Sequence, residues 1–255
     1  MEEIRSRTVV VTGGSAGIGA ATVRRLATDG WSVLAGARRL DLLREVCEPV
    51  GAAAAGLDVT DEASVAEFVD VADRLGFGKL NLLVNNAGAA LGVDSVEGAQ
   101  EDLWRRMFEL NVMGTLHLTR AFLGRLRASG DGHVVNLGSV AGFETYPGGG
   151  GYTASKHAVR ALTKTLRREL LGEPVRVTEV APGLVETEFS VVRFDGDRDR
   201  ADSIYRGMTP LVADDVADCI AWAASRPSHV NIDEIVVRPR DQATATSVHR
   251  REEND

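Results

Sequence analysis

The hydrophobic pattern alternates between short unbroken apolar runs and longer stretches whose apolar positions recur every three or four residues. The first run, 8–11, leads into T-G-G-S-A-G-I-G (12–19), and a helical pattern follows through Ala27. Further strands are predicted at 32–36, within 51–58, and at 80–84, 134–137, 175–180 and 232–237. Helical spacing predicts helices at 40–46, 63–75, 101–126, from Tyr152 to about Leu171, and at 213–224. Strand and helix in regular alternation, with β-branched strands, indicate a parallel sheet buried on both faces.

Three places break the pattern. Asn111 falls inside the long predicted helix, where a buried amide must find hydrogen bonds, so it marks either a kink or a polar relay. Residues 188–210 are mixed, charged and without period, which in a folded chain means either a functional lid or disorder. The end, 241–255, is polar and reads as a frayed tail or an arm reaching a neighbouring subunit. No repeat or linker divides the chain, so 1–255 is expected to form one domain, with 188–212 as substrate lid and 241–255 as tail.

Composition narrows the function. A net charge of −8 argues against a nucleic-acid or anionic-membrane surface. No apolar run is long enough to span a bilayer, and the start M-E-E-I-R-S-R is not read as a signal peptide. The 2 cysteines and 5 histidines show no ligand spacing, so no metal is expected and a reducing, cytoplasmic setting is. Only three of the 29 basic residues are Lys, which with the abundant Ala hints at a bacterial source.

The candidate chemistry lies at strand ends. After the first strand, Gly13 permits a tight turn, Gly17 lets a pyrophosphate approach the backbone, and Gly19 lets the next helix pack closely. The second strand ends in Ala37, Arg38 and Arg39, where an acidic side chain would hold the ribose hydroxyls of NAD. Two guanidinium groups suit a ribose 2′-phosphate, so NADP(H) is the expected cofactor; alternatively they are a solvated pair. Asp58 lies beside an adenine edge or caps the helix that follows. The fourth strand ends in N-N-A-G (85–88), small enough for a cofactor to cross. Tyr152 and Lys156 are four apart and share a helix face. A phenol with a pKa of about 10 becomes useful as an acid-base near neutrality when a cation favours its ionised form, a shift of roughly 4 kcal/mol.

Taken in order, T-G-G-S-A-G-I-G, N-N-A-G, Asn111, Ser139, Y-T-A-S-K (152–156) and P-G-L-V-E-T (182–187) resemble the short-chain dehydrogenase/reductase family. That resemblance implies an α/β doubly wound Rossmann fold, three layers α-β-α around a parallel seven-stranded sheet, in a homo-oligomer, a tetramer ahead of a dimer. It implies Tyr152 as general acid-base, Lys156 lowering its pKa and holding the nicotinamide ribose, Ser139 binding the substrate oxygen, and Asn111 anchoring a relay water. It places the cofactor along Gly13, Ser15, Ala16, Gly17, Ile18, Gly19, Arg38, Arg39, Asp58, Val59, Asn86, Ala87, Gly88, Tyr152, Lys156, Pro182, Gly183, Val185 and Thr187. Ala16 stands where many NADP-type members carry a basic residue, which leaves phosphate recognition to Arg38 and Arg39, with Ser15 helping.

The C-terminal third, P-G-L-V-E-T-E-F-S-V-V-R-F and P-S-H-V-N-I-D-E-I-V-V-R-P, is similar to bacterial NADP-dependent 3-hydroxy acid dehydrogenases acting on serine-like or allo-threonine-like substrates. The implied reaction is hydride transfer between NADP(H) and the carbonyl or alcohol of a small 3-hydroxy acid or a related aldehyde or ketone. If the substrate carries a carboxylate, Arg193 is a candidate to receive it and Tyr146 to close the pocket; alternatively Arg193 is a surface charge. Competing readings are a β-ketoacyl-thioester reductase or secondary-metabolism reductase, a non-redox epimerase or dehydratase, and a non-catalytic NADP-binding regulator.

Overall fold

Each strand of the sheet is short, apolar and flanked by a helix whose buried stripe turns back onto it. The computed structural model describes residues 7–251; the first six residues, and 252–255 of the predicted tail, lie outside the described residues. In chain order the elements are β1 (Thr8–Thr12), α1 (Gly17–Thr28), β2 (Ser32–Ala37), α2 (Leu40–Cys47), β3 (Ala53–Gly56), α3 (Glu62–Arg74), β4 (Leu82–Asn85), α4 (Glu101–Phe108), α5 (Gly114–Ser129) and β5 (Gly132–Leu137). They continue with α6 (Gly150–Glu169), β6 (Val175–Pro182), β7 (Val185–Glu186), α7 (Glu188–Arg193), α8 (Arg198–Ser203), β8 (Leu211–Val212), α9 (Ala213–Ala224) and β9 (Glu234–Val237).

Seven strands form one sheet in the order β3-β2-β1-β4-β5-β6-β9, every neighbouring pair parallel. The order reverses direction between β1 and β4, which leaves a crevice at their carboxyl ends. Alternation along β1 shows the layering. Val10 packs with Phe68, Leu118, Phe122 and Leu166 on one side. Val9 and Val11 pack with Val23, Leu26, Leu43 and Ile220 on the other. The sheet thus lies between α3, α5 and α6 on one face and α1, α2 and α9 on the other, the expected three-layer α/β architecture.

Two expectations need correction. The helix predicted as one piece over 101–126 is α4 and α5 joined by a π turn, Glu109–Met113, centred on Asn111. An extra residue in the turn swings the Asn111 side chain out of the helical ladder. The stretch 188–210 is not irregular: it holds α7 and α8, each capped by its own side chain, Thr187 to Phe189 N and Asp197 to Arg200 N. Both helices are six residues long, too short to show a period.

Candidate active site

The crevice is a cavity of about 710 Å³. Its floor is the first turn. Gly13 sits at φ +68°, and a Cβ there would come within 2.8 Å of Asn86 Nδ2. Asn86 Nδ2 donates to Thr12 O (2.8 Å) and Gly13 O (3.2 Å), while Asn86 N and Ala87 N donate to Thr12 Oγ1, both at 3.0 Å. The end of β4 is thereby clipped to the end of β1. A Cβ on Gly19 would strike Gly13 O, so α1 sits directly on the turn. No side chain caps α1 and no acidic residue occupies its first turn. Its free N–H groups and positive end face the cavity, an arrangement suited to a pyrophosphate. Ser15, Ala16, Gly17 and Ile18 line this end, with Thr187 opposite Gly17.

Arg38 and Arg39 stand exposed at the rim. Arg39 Nη2 is paired with Glu188 Oε2 at 2.9 Å, which ties the rim to α7; among the described residues Arg38 has no such partner. Asp58 accepts from Thr60 N (3.0 Å) and Thr60 Oγ1 (2.7 Å). Burial works against its charge, but those bonds and the Arg38 guanidinium outweigh it and leave the carboxyl below its usual range. Asp58 is not the helix cap: Asp61 caps α3 by accepting from Ala63 N. Asp58 and Val59 line the cavity, as do Asn86, Ala87, Gly88, Pro182, Gly183, Val185 and Thr187.

Ser139, Tyr152 and Lys156 meet at the centre. Ser139 Oγ accepts from Ala141 N at 3.1 Å, which fixes its rotamer at the carboxyl end of β5. Lys156 is buried and donates to Leu137 O at 2.8 Å, with Nζ 5.9 Å from the Tyr152 ring centroid. Burial lowers the ammonium to about 8. Burial also pushes the Tyr152 phenol above its ordinary value; the Ser139 hydroxyl hydrogen-bonds it and acts the other way, Tyr146 adds to the rise and Arg193 opposes it. Desolvation dominates at Tyr152, and the groups easing its ionisation are Ser139 and Arg193.

Asn111 does not reach the cavity wall. Its amide donates to Ala89 O and Ser155 Oγ, both at 2.9 Å, and its Oδ1 accepts from Ala89 N at 2.9 Å. Ser155 in turn donates to Tyr152 O at 2.8 Å. Asn111 thus braces the helix turn that carries Tyr152, and both amide hydrogens are committed.

The outer wall contains what sequence reasoning located least well. Arg193 Nη1 donates to Tyr146 Oη at 3.2 Å, and Arg193 Nε is buried with no hydrogen-bond partner among the described residues. Phe189 packs edge-on against Tyr152, ring centroids 5.6 Å apart. Tyr205 Oη donates to Val185 O at 2.8 Å and shares a 2.6 Å hydrogen bond with Ser190. Residues 241–251 are neither a frayed end nor an arm reaching outward; they fold back over the cavity. Gln242 is 5% exposed and its Oε1 accepts from Leu184 N at 2.8 Å. Glu144 holds Arg238 at 2.7 Å and also accepts from Ala245 N. D-Q-A-T-A-T-S carries no period that would have shown this; one buried Gln among small polar residues was the only signal.

A doubly wound sheet whose switch-point crevice joins an uncapped helix end to a buried Ser–Tyr–Lys cluster defines a dinucleotide-dependent enzyme. A family model for short chain dehydrogenases matches residues 7–197. An uncharacterized oxidoreductase of Mycobacterium tuberculosis is 55% identical over 242 residues, 95% of this chain and 94% of that protein. Sulfoacetaldehyde reductase 2 of Chromohalobacter salexigens is 42% identical, covering 92% of this chain and 95% of that one. The closed form of a serine dehydrogenase complexed with NADP+ superposes with a TM-score of 0.89 at 38% identity, covering 96% of this chain and 100% of that one. The chain belongs to the short-chain dehydrogenase family and is an oxidoreductase. Among the described residues no helix is long and apolar enough to cross a membrane.

Proposed function

We propose that the protein transfers a hydride between NADP(H) and the carbonyl or alcohol carbon of a small anionic substrate, a 3-hydroxy acid or a matching aldehyde. The observation that carries the substrate class is Arg193. A half-buried guanidinium whose buried Nε has no partner among the described residues, close enough to Tyr152 to influence its ionisation, calls for an anion beside the reacting carbon. The two relatives named for a substrate, serine and sulfoacetaldehyde, fit this: each is small and carries an acid group.

In this reading Tyr152 gives its proton to the carbonyl oxygen during reduction, and a buried, fully protonated phenol is the form that step requires. Ser139 donates to the same oxygen as it gains charge. Lys156 holds the nicotinamide ribose, and the Asn111–Ser155 brace keeps Tyr152 in register. NADP(H), when bound, supplies or accepts the hydride. Its pyrophosphate would lie at α1 and its 2′-phosphate at Arg38. Residues 188–212 act as a lid, joined to the rim by Arg39 and Glu188. The chain works as one domain in a bacterial cytoplasm, and the exposed Phe108 and Trp222 support a homotetramer; a monomer in light scattering would remove that part.

A substrate panel read by nicotinamide absorbance, with Arg193→Leu beside the unaltered protein, tests the substrate class. The variant is expected to lose about 100-fold in kcat/KM on 3-hydroxy acids, since charge-assisted bonds contribute about 1.5–3 kcal/mol each. Neutral alcohols should change less than about threefold. Equal losses on both would refute the anion site.

A further inference from the structure

Behind Lys156, between α6 and β6, lies a carboxylate that the proposed chemistry does not use. Glu179 is 1% exposed, and its Oε1 has no hydrogen-bond partner among the described residues. The carboxylate packs so closely on Gly138 that a Cβ there would strike Oε1. Gly138 follows Leu137, whose carbonyl receives the Lys156 ammonium. A buried carboxylate oxygen in this position is tolerated only with cations nearby.

Those cations come from one face of α6, where Lys156, Arg160, Lys164 and Arg167 recur at helical spacing. Arg160 Nη1 lies 3.8 Å from Glu179 Oε2, but its guanidinium is engaged by both carboxylate oxygens of Glu234 on β9. Arg167 is paired with Asp233. A second cavity, about 160 Å³, is bounded by Glu179, Lys164, Arg167, Asp233 and Glu234 and shares no lining residue with the cofactor crevice. Its outer end is formed by the exposed Lys164 and Asp233.

We propose that Glu179 is the positioning residue for Lys156: its buried carboxylate sets the charge of the active-site lysine, and the second cavity links that pair to solvent without passing through the substrate crevice. Burial lowers the Lys156 ammonium, and Glu179 is the group that resists the fall. The coupling is mutual. Burial raises the Glu179 carboxyl and Glu234 adds to the rise, while Arg160, Lys156 and Lys164 pull it down. Removing the carboxylate's charge shifts Lys156 to a lower pKa, so the alkaline limb of activity moves to lower pH.

The inference rests on Lys156 acting in turnover, and the test separates the two. The chain has only three lysines, Lys79, Lys156 and Lys164, so protein labelled with 13C at lysine Cε gives three NMR signals, assigned with Lys79→Arg and Lys164→Arg. In Glu179→Gln the Lys156 signal is expected to titrate about one pH unit lower than in the unaltered protein. The alkaline limb of kcat/KM should move by the same amount, with dinucleotide affinity within about threefold. A Lys156 titration that stays in place overturns the coupling whatever the substrate. A titration that moves while the limb stays overturns its role in turnover. If Glu179→Gln fails to fold, Glu179→Asp, with its charge one methylene further back, should give a smaller shift in the same direction, and an unshifted signal again overturns the proposal.

Discussion

The two ends of the crevice are built by different means. At the nucleotide end, only two side chains, the Thr12 hydroxyl and the Asn86 amide, bond to backbone groups at the carboxyl ends of two adjacent parallel strands and leave a floor of main chain and small residues. At the substrate end, the wall is assembled from side chains on α7, the segment before α6, the loop after β6 and a tail that returns from residue 242. A phosphate can be recognised by backbone N–H groups, so a fixed run of small residues is enough there. A substrate is recognised by side chains, which must be gathered from distant parts of the chain. The nucleotide end should therefore tolerate change at the outer wall, and the reacting centre should tolerate change at neither.

The largest effect lies where the two ends meet. Tyr152→Phe removes the proton donor while keeping the ring against Phe189. Turnover is expected to fall about 10³-fold, roughly 4 kcal/mol, with dinucleotide affinity nearly unchanged. Steady-state rates beside fluorescence titration of the cofactor measure both. More than a few per cent of residual activity would show that the centre does not depend on this phenol.

The sheet that both ends share is sensitive to acid. His133 on β5 is fully buried, shares a 2.7 Å hydrogen bond with Thr178, and leaves Nδ1 without a partner among the described residues. Burial first, and Arg176 after it, lower its pKa to about 3. A neutral histidine in the fold and an ordinary one in the unfolded chain mean that unfolding takes up a proton below pH about 6.5. This contribution to stability is whole above that value and declines as pH falls toward 3. Urea unfolding between pH 7 and 4 should show a loss of a few kcal/mol, and His133→Asn should flatten the dependence.

The sequence revealed the two ends to different depths, for the same physical reason. T-G-G-S-A-G-I-G, N-N-A-G and the Tyr152–Lys156 pair are local patterns, and most of their residues line the cavity: Gly13, 15–19, 86–88, Tyr152 and Lys156. Asn111 was legible as a disturbance in a helix, but the π turn and its bond to Ser155 needed the third dimension. The helices α7 and α8 were hidden because six residues give no period, and the tail because its fold is fixed by partners more than 50 residues away, Leu184 and Glu144. Glu179 offered one clue, an acid inside the predicted strand V-R-V-T-E-V, which only its position against Gly138 and Arg160 makes meaningful.

Gln242→Ala probes the outer wall alone. It deletes the acceptor for Leu184 N and loosens the tail over the lid. An amide left without its partner costs about 1–3 kcal/mol, so the substrate KM should rise about tenfold while the dinucleotide Kd stays within about twofold. Parallel measurement of the two constants decides this; a matching rise in the dinucleotide Kd would mean that the two ends are not built independently.

The smallest effects separate two neighbouring arginines at the rim. Arg38 acts on the Asp58 carboxylate and has no ion-pair partner among the described residues, whereas Arg39 is held by Glu188 at 2.9 Å with both side chains about half exposed. A free guanidinium bound to a 2′-phosphate contributes a charge-assisted bond, about 1.5 kcal/mol or more, and Arg38→Ala should therefore raise the KM for NADPH about tenfold and leave that for NADH unchanged. Arg39→Ala breaks an exposed ion pair that contributes about 0–1 kcal/mol, so both cofactors should respond by less than about threefold, with the change appearing in lid closure and fading at high salt. If the two variants lose NADPH equally, the phosphate is shared across the rim and Arg39 belongs to the nucleotide end rather than to the lid.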